Sequence, residues 1–227
     1  QKVADAVTKG LAQGAVKVDL TDAKGNFDGI SLTKEDVVLI AVPSYSGRVP
    51  ETAAARIARL QGHGASAILI CVYGNRAYED TLVELQDIAH QAEHSIARRY
   101  AAGRPDEEDR TQLAEFARQI AQKIASGDTC EPKIPGHRPY RKAGATGIVP
   151  KPTKACINCG VCARKCPVGA INPTDSRKVD KKACISCMRC VAVCPHSARK
   201  INGLMLFLVN ALLKKACSQR KGNELYL

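Results

Sequence analysis

Apolar residues in the first 126 positions follow two spacings, one helical and one typical of strands. Apolar residues recur at helical spacing in residues 3–11, and apolar and polar residues then alternate in residues 15–20 as in a short strand. Two continuous apolar runs, 37–42 and 67–72, are rich in aliphatic and β-branched side chains. Such runs predict strands that are buried on both faces of a parallel sheet.

The pattern between and after these runs predicts helices. Residues 51–60 form an Ala- and Arg-rich segment, residues 78–90 carry an apolar stripe, and a longer stripe extends from Asp106 to about Ser126. Strands and helices therefore alternate along residues 1–126. This alternation predicts an α/β domain with a doubly wound parallel sheet.

The rest of the chain divides into three segments. Residues 127–155 are rich in Pro, Gly, Lys and Arg and predict a linker, 156–200 concentrate the cysteines, and 201–227 predict a helix and a basic tail. The apolar run in that last segment is about ten residues long, whereas a helix that spans a bilayer needs about 18 or more. We expect it to dock on a domain. We also expect a cytoplasmic protein, because no export signal opens the sequence.

Charge is spread unevenly over the 227 residues. Residues 127–227 contain 19 Lys and Arg against 5 Asp and Glu, whereas residues 1–126 contain 15 against 17. A basic half is typical of a solvated surface, of nucleic-acid binding or of docking to an acidic partner. Nucleic-acid binding is the weaker alternative, because no aromatic stacking residues are interleaved with the basic ones.

Eight of the eleven cysteines form an internal repeat. The spacing C-x2-C-x2-C-x3-C-P begins at Cys156 and begins again at Cys184. It is the spacing of bacterial ferredoxins, in which three cysteines of a run bind one [4Fe–4S] cluster and the fourth binds the other. The predicted ligands of cluster one are Cys156, Cys159, Cys162 and Cys194. Those of cluster two are Cys184, Cys187, Cys190 and Cys166.

Two other interpretations of the cysteines are weaker. Zinc sites usually combine two C-x2-C motifs, which give four ligands to one ion. Here each run alone contains four cysteines, and the whole run is duplicated. A disulfide scaffold is typical of small secreted chains. Two clusters, each carrying about −2 with its thiolates, would leave the basic half clearly positive. That charge would favour reduced clusters and attract an acidic redox partner.

Two loops follow the predicted strands at the sheet edge where open α/β sheets bind ligands. The first is Pro-Ser-Tyr-Ser-Gly-Arg-Val-Pro at 43–50, and the second is Tyr-Gly-Asn-Arg-Ala-Tyr at 73–78. Flexible backbone beside flat aromatic rings suits a flavin. Ordinary turns with partly exposed tyrosines are the alternative.

Residues 42–50 and 72–80, together with the duplicated cysteine run, resemble flavodoxin–ferredoxin fusion proteins of anaerobic microbes, over nearly the whole chain. The resemblance implies a flavodoxin-like domain followed by a small α+β ferredoxin-like domain with two clusters. It also implies FMN, with tyrosine rings against the flavin and loop backbone near its polar edge. The implied FMN residues are Pro43, Ser44, Tyr45, Gly47, Tyr73, Gly74, Asn75 and Tyr78.

The sequence departs from flavodoxins at two places. The first strand of a flavodoxin and its Ser/Thr/Gly-rich phosphate loop do not precede Gln1. A later strand is also lacking, since residues 91–105 show no strand pattern. We expect that residues are missing at both places, and that residues 15–20 lack a neighbouring strand.

The sequence thus predicts an electron carrier, or an electron-transfer subunit of an oxidoreductase, rather than a stand-alone enzyme. Electrons would pass singly through two clusters, to or from FMN. One alternative is a flavin-free subunit whose α/β domain docks a larger oxidoreductase complex. Another is a nucleic-acid-associated protein with structural clusters.

Overall fold

The computed structural model describes residues 2–11, 14–74, 77–91, 105–142, 147–217 and 220–227, the side chains of 210, 215 and 216 excepted. Contacts divide the chain into two units. The α/β unit comprises Gln1–Val18, Asn26–Ala143 and Ala216–Leu227. The cysteine unit comprises Asp19–Gly25 and Gly144–Lys215. Each unit therefore draws on segments that are distant in sequence.

The α/β unit contains a parallel pair of strands. β1 (Val37–Pro43) and β2 (Ser66–Val72) pair residue by residue along their whole length. The five central residues of β2 are all buried, as expected for a strand covered on both faces. Both predicted strands are confirmed, and because they are parallel their carboxyl ends lie at the same edge of the sheet.

The helices predicted in this unit are confirmed to within a few residues. Their bounds are α1 Lys2–Leu11, α2 Glu51–Ile57, α3 Thr81–Gln91 and α4 Glu107–Ala125. A capping box starts α4, because the side chains of Asp106 and Asp109 each accept a hydrogen bond from the other's backbone N–H. The pair satisfies two N–H groups that the helix itself leaves unpaired.

The apolar stripes of α1 and α4 pack together with β2. Helical spacing places Val3 and Val7 on one face of α1, and strand alternation places Ile68 and Ile70 on one face of β2. The buried cluster comprises Val3, Val7, Ile68, Ile70, Leu113 and Ile120. Burial of each of these side chains contributes roughly 1.5–3 kcal/mol.

The prediction of a strand at residues 15–20 is wrong. This segment is irregular, and Val16 and Val18 are 91% and 49% exposed. A strand needs a neighbour to hydrogen bond with, and within the described ranges the parallel sheet consists of β1 and β2 alone. The α/β class is therefore confirmed at the level of a small parallel sheet. The sequence shows no strand pattern in residues 91–105, and most of this segment, residues 92–104, lies outside the described residues.

Part of the predicted linker is bound to the beginning of α3. Asp80 is 3% exposed and accepts hydrogen bonds from the backbone N–H groups of His137 (2.9 Å) and Arg141 (2.8 Å). Asp87 accepts one from the Arg138 guanidinium (2.8 Å). Burial alone would raise the pKa of Asp80, but the two backbone N–H groups hold it below its ordinary value. Residues 137–141 therefore have fixed contacts within the α/β unit.

The end of the chain is also fixed to the α/β unit. After α7 (Gly203–Cys217), Arg220 donates to Asp106 (2.6 Å) and to Asp109 (3.2 Å). The side chain of Asn223 donates to Asp109 as well (3.2 Å). Asp109 is fully buried, and a buried carboxylate is costly unless it is hydrogen bonded. The basic tail thus stabilises the start of α4.

Most of the described apolar side chains of α7 are exposed, so the prediction that they dock on a domain is wrong. Leu204, Phe207 and Leu212 are 69%, 68% and 80% exposed. Leu, Met, Phe and Val follow one another from residue 204 to residue 209, so that apolar groups surround the helix and one neighbour could cover only part of them. Among the described residues no helix has both the length and the apolar character to cross a membrane.

Replacing Asp80 tests the attachment of residues 137–141. Asp80→Asn removes the charge that strengthens two buried hydrogen bonds, and hydrogen bonds to charged groups contribute about 1.5–3 kcal/mol. We expect the free energy of unfolding to fall by about 2 kcal/mol, with faster hydrogen exchange at 137–141. Asp28→Asn is the control, because Asp28 pairs with Arg59 in an exposed salt bridge, and such pairs contribute little to stability.

The pH dependence of the stability difference between wild type and Asp80→Asn tests the role of the charge. Because the folded pKa of Asp80 lies below 3.8, its carboxylate contributes fully above that pH and loses the contribution as pH falls through the folded pKa. The stability difference between wild type and Asp80→Asn should therefore shrink in acid. A difference that stays constant at all pH values would contradict this role of the charge.

Candidate metal centre

The two cysteine runs have the same local backbone. Short helices α5 (Val161–Arg164) and α6 (Arg189–Ala192) lie at equivalent positions of the two runs. Each follows a residue in the left-handed region, Gly160 at φ 73° and Met188 at φ 58°. This conformation bends the chain between the second and third cysteine of each run.

Two short strands belong to the same unit. β3 (Lys151–Pro152) pairs with β4 (Arg199–Lys200) in antiparallel fashion, and Lys151 lies opposite Lys200. Since β4 begins shortly after Cys194, the pairing fixes the end of the second run against the segment that precedes the first. The unit is therefore a small arrangement of short helices and strands around the cysteines.

The eight repeat cysteines line two cavities, four in each. Cavity one encloses about 320 Å³ and cavity two about 380 Å³, the open space at their mouths included. The cysteines of cavity one are Cys156, Cys159, Cys162 and Cys194. Those of cavity two are Cys166, Cys184, Cys187 and Cys190. Each cavity takes three cysteines from one run and the fourth from the other, in the same sets as the predicted ligands.

Apolar residues form most of the remaining walls. Such walls exclude water and lower the local dielectric constant, which strengthens every charge interaction inside. The apolar wall residues of cavity one are Ile157, Val161, Pro195 and Ala198. Those of cavity two include Pro150, Pro167, Val168, Ala170, Ile171, Val179 and Ile185.

Three of the cavity thiols have shifted pKa values. Burial raises the pKa of Cys187, and it raises that of Cys190 to about 11. Burial would raise the pKa of Cys194 too, but backbone N–H groups lower it overall, and the N–H of Ala198 lies 3.2 Å from Cys194 Sγ. A thiolate at Cys187 or Cys190 therefore needs a positive charge from a metal or a neighbouring cation.

A buried arginine contacts both cavities. Arg199 is 2% exposed and lines cavity one and cavity two. Its guanidinium donates to the carbonyl oxygens of Pro150 (3.1 Å) and Ser176. Arg199 is not evident from the charge pattern of the sequence, because a count of basic residues treats all of them as surface charge. The repeat carries the signal, since the equivalent position in its first half is Ile171, which is also buried.

Three buried donor atoms of wall residues have no hydrogen-bond partner within the described residues. An unpaired buried donor costs about 1–3 kcal/mol. Sulfur atoms of iron–sulfur clusters accept hydrogen bonds, so donors at these places fit a cluster in each cavity. The three atoms are Ser176 Oγ, Arg189 Nε and Arg199 Nε.

In the part of the chain that the structure describes, no three or more His, Cys, Asp or Glu are grouped around a point that could bind a single ion. A tetrahedral zinc ion needs its four ligands around one centre, whereas a [4Fe–4S] cluster binds its four thiolates at four different irons.

The two loops predicted to bind FMN meet at the carboxyl edge of the parallel sheet. Pro43 is the last residue of β1, and the N–H of Ser44 donates to the carbonyl of Val72 (2.7 Å). Gly74 has open space around its Cα, and Asn75 lies outside the described residues. The first loop is thus fixed to the end of β2.

The first loop turns tightly against the second. Tyr45 and Arg48 exchange backbone hydrogen bonds of 3.0 and 3.1 Å around Gly47, which has φ 79°. The carbonyl of Gly47 accepts from the N–H of Asp80 (3.1 Å), and a side chain at position 47 would collide with Glu79. Glycine is required here for a close approach of protein to protein.

The remaining tyrosines of the predicted flavin site also contact protein. Tyr73 is 5% exposed, and its ring meets that of Tyr78 edge to face at 5.8 Å. The Tyr78 hydroxyl lies 3.0 Å from Glu224 and 3.1 Å from the Tyr226 hydroxyl. Burial, followed by the hydrogen bond to Tyr226, raises the pKa of Tyr78. The C-terminal tail therefore contacts the hydroxyl of Tyr78, whose ring is predicted to face flavin.

Comparisons with known proteins agree with the cysteine geometry. Residues 155–198 match the family model of the 4Fe-4S dicluster domain. No curated protein matches the chain. Among solved structures, the rubredoxin oxygen:oxidoreductase of the anaerobe Desulfovibrio gigas aligns at 14% identity and a TM-score of 0.33, over 41% of this chain and 24% of that one. A likeness this low carries no argument. The 4Fe-4S dicluster match supports an iron–sulfur domain with a role in electron transfer.

Asn158 offers a test of how the first run is stabilised. Its side chain donates to the carbonyl of Thr174 (3.1 Å) and accepts from the N–H of Ser176 (2.7 Å). Asn158→Ala removes both hydrogen bonds, each worth about 1 kcal/mol. It also removes a residue type that tolerates the observed φ of 59°. We expect visible iron–sulfur absorbance to be lost faster on heating under anaerobic conditions.

Ser186 supplies the matched control for Asn158. It occupies the equivalent position in the second run, at φ 56°, and its hydroxyl has no partner within the described residues. Ser186→Ala should therefore accelerate the loss of absorbance less than Asn158→Ala does. Equal rates in the two variants would contradict the stabilising role of the Asn158 side chain.

Proposed function

We propose that this protein carries single electrons through two [4Fe–4S] clusters, one in each cysteine cavity. The observation that carries the proposal is the division of eight cysteines into two sets of four, each drawing three sulfurs from one run and one from the other. In the spacing of bacterial two-cluster ferredoxins, this crossed division is what two clusters need. A single zinc site or a disulfide scaffold gives no reason for it.

The residues around the cavities then have separate tasks. Cys156, Cys159, Cys162 and Cys194 would bind cluster one, and Cys184, Cys187, Cys190 and Cys166 would bind cluster two. When bound, such clusters accept and release one electron at a time. The N–H of Ala198 donates to the Cys194 sulfur, and the apolar walls exclude water. No proton donor or nucleophile is needed for this reaction.

The charge of the chain supports an acidic redox partner. Residues 127–227 have 14 more Lys and Arg than Asp and Glu, and the clusters would offset only about 4 of these charges. A positive surface attracts an acidic protein and accelerates its association at low salt. We therefore include a partner with an acidic docking surface in the proposal.

We further propose that FMN at the carboxyl edge of the parallel sheet exchanges electrons with the clusters. Two observations favour it: the predicted loops meet at that edge, and Gly74 leaves open space there. The packing of Tyr73, Tyr78 and Gly47 against protein favours the alternative, an electron-transfer subunit without flavin. The two functions differ in flavin content.

Cysteine substitutions test the crossed ligand sets. Purified anaerobically, the wild type should contain about eight irons and eight acid-labile sulfides per chain. Cys166→Ser should lose cluster two and about half of the iron. Adding Cys187→Ser, which lies in the same ligand set as Cys166, should remove little more iron. Adding Cys159→Ser, which lies in the other set, should remove nearly all of the remaining iron. The crossed assignment is wrong if Cys166→Ser/Cys159→Ser keeps as much iron as Cys166→Ser/Cys187→Ser.

Flavin content tests the second part of the proposal. We expect about one FMN per chain, released by acid from protein purified anaerobically or incubated with FMN. The control is Gly74→Trp, which fills the open space and should abolish FMN binding while leaving the iron content unchanged. Wild-type protein that has its full iron content but no FMN would leave the flavin-free subunit as the function.

A further inference from the structure

We propose that Arg199 stabilises the reduced state of both clusters through its fixed positive charge. The inference rests on the proposed function, because it needs clusters in both cavities.

Arg199 is buried between the two sets of cysteines. Only 2% of its surface is exposed, and it is a wall residue of cavity one and of cavity two. Two backbone carbonyls, those of Pro150 and Ser176, hold the guanidinium in place. Because β4 begins at Arg199 and pairs with β3, the backbone is fixed as well.

The charge of Arg199 has no carboxylate to balance it in the described ranges. Both of its hydrogen bonds go to neutral carbonyls, and its Nε atom is buried without a partner there. An isolated buried charge costs several kcal/mol, and an arginine cannot discharge itself by losing its proton. The anionic groups that can balance it are the thiolates and the clusters on its two sides.

Arg189 shows the contrast within the same unit. It also lines cavity two, but its guanidinium lies 3.6 Å from the carboxylate of Asp19, and the pair is partly exposed. Its charge is therefore largely balanced before a cluster binds. Arg199 is left as the uncompensated buried cation that faces both cavities.

The internal repeat indicates that the charge is not required to build such a cavity. At the position equivalent to Arg199, the first half of the repeat has Ile171, which is 4% exposed and lines cavity two. The backbone can therefore bury an apolar side chain at this place. Arginine at position 199 adds a charge, and its effect on the clusters follows from electrostatics.

Reduction makes each cluster one unit more negative, and the electron comes from a one-electron donor such as dithionite. A cation fixed nearby in a medium of low dielectric constant stabilises that extra charge more than an exposed one does. No proton moves at Arg199, since its guanidinium remains protonated. The midpoint potentials of both clusters should thus be raised by its presence.

The test is a mediated redox titration of the full chain, reconstituted anaerobically and followed by electron paramagnetic resonance. Arg199→Ile introduces the residue type of the other half of the repeat. We expect the ratio of reduced to oxidised cluster at a given potential to fall at least tenfold for both clusters, which is about 59 mV for one electron. Arg199→Lys, which keeps the charge, should stay within about threefold of the wild type.

Two further variants keep the test decisive. Lys200→Ile removes one positive charge from the neighbouring, exposed residue and should shift neither cluster by more than about threefold. Arg199→Gln is neutral but can still donate hydrogen bonds, so it covers the case in which Arg199→Ile loses its iron. We expect its potentials to be lowered as well.

The outcomes separate this inference from the proposed function. Wild-type protein without reducible iron–sulfur clusters would overturn the proposed function. Reducible clusters whose potentials stay unchanged in Arg199→Gln and Arg199→Ile would overturn only the role of Arg199. The role of Arg199 would also be overturned if Lys200→Ile shifted the potentials as far as Arg199→Ile does, or if Arg199→Lys lowered them as far as Arg199→Ile does.

Discussion

Neither cysteine run can complete its own cavity, because the fourth sulfur of each cavity comes from the other run. This crossing makes the two halves of the cysteine unit depend on each other. Cys166 leaves the first run to reach the cavity of the second, and Cys194 does the reverse. Since metal binding is coupled to folding, we expect a cluster bound in one cavity to order part of the other. Arg199 is a wall residue of both cavities.

A different interaction organises the α/β unit, where buried carboxylates bind segments that are distant in sequence. Asp80 accepts from a backbone N–H 57 residues further along, and Asp109 accepts from a side chain 111 residues further along. A buried carboxylate is stable only when donors surround it, so each one requires its distant segment to be in place. The small parallel sheet supplies the core, and these carboxylates fix the surrounding chain to it.

The elements that the sequence predicts well are those whose pattern is local. Strands β1 and β2 and helix α4 follow from runs and stripes of apolar residues that need no knowledge of the rest of the fold. Residues 15–20 show the limit, because alternation becomes a strand only where a neighbour offers hydrogen bonds. The ligand sets that the cysteine spacing predicts are the same sets of four that line the two cavities; three of each set are close in sequence, and the repeat spacing of bacterial ferredoxins supplies the fourth. Arg199 was missed because a count of basic residues does not tell a buried cation from an exposed one.

The course of the chain has a mechanical consequence for the cysteine unit. Its main segment leaves the α/β unit after residue 143 and returns to it at residue 216, and Arg220 then fastens the tail to α4. This segment is thus an insertion that is joined covalently to the α/β unit at both of its ends, whereas a tandem domain is joined at one. The cysteine unit also includes Asp19–Gly25, which the chain joins to the α/β unit at both ends as well. A single proteolytic cut before residue 151 or within α7 would leave the main segment attached at its other end, so that its release requires two cuts.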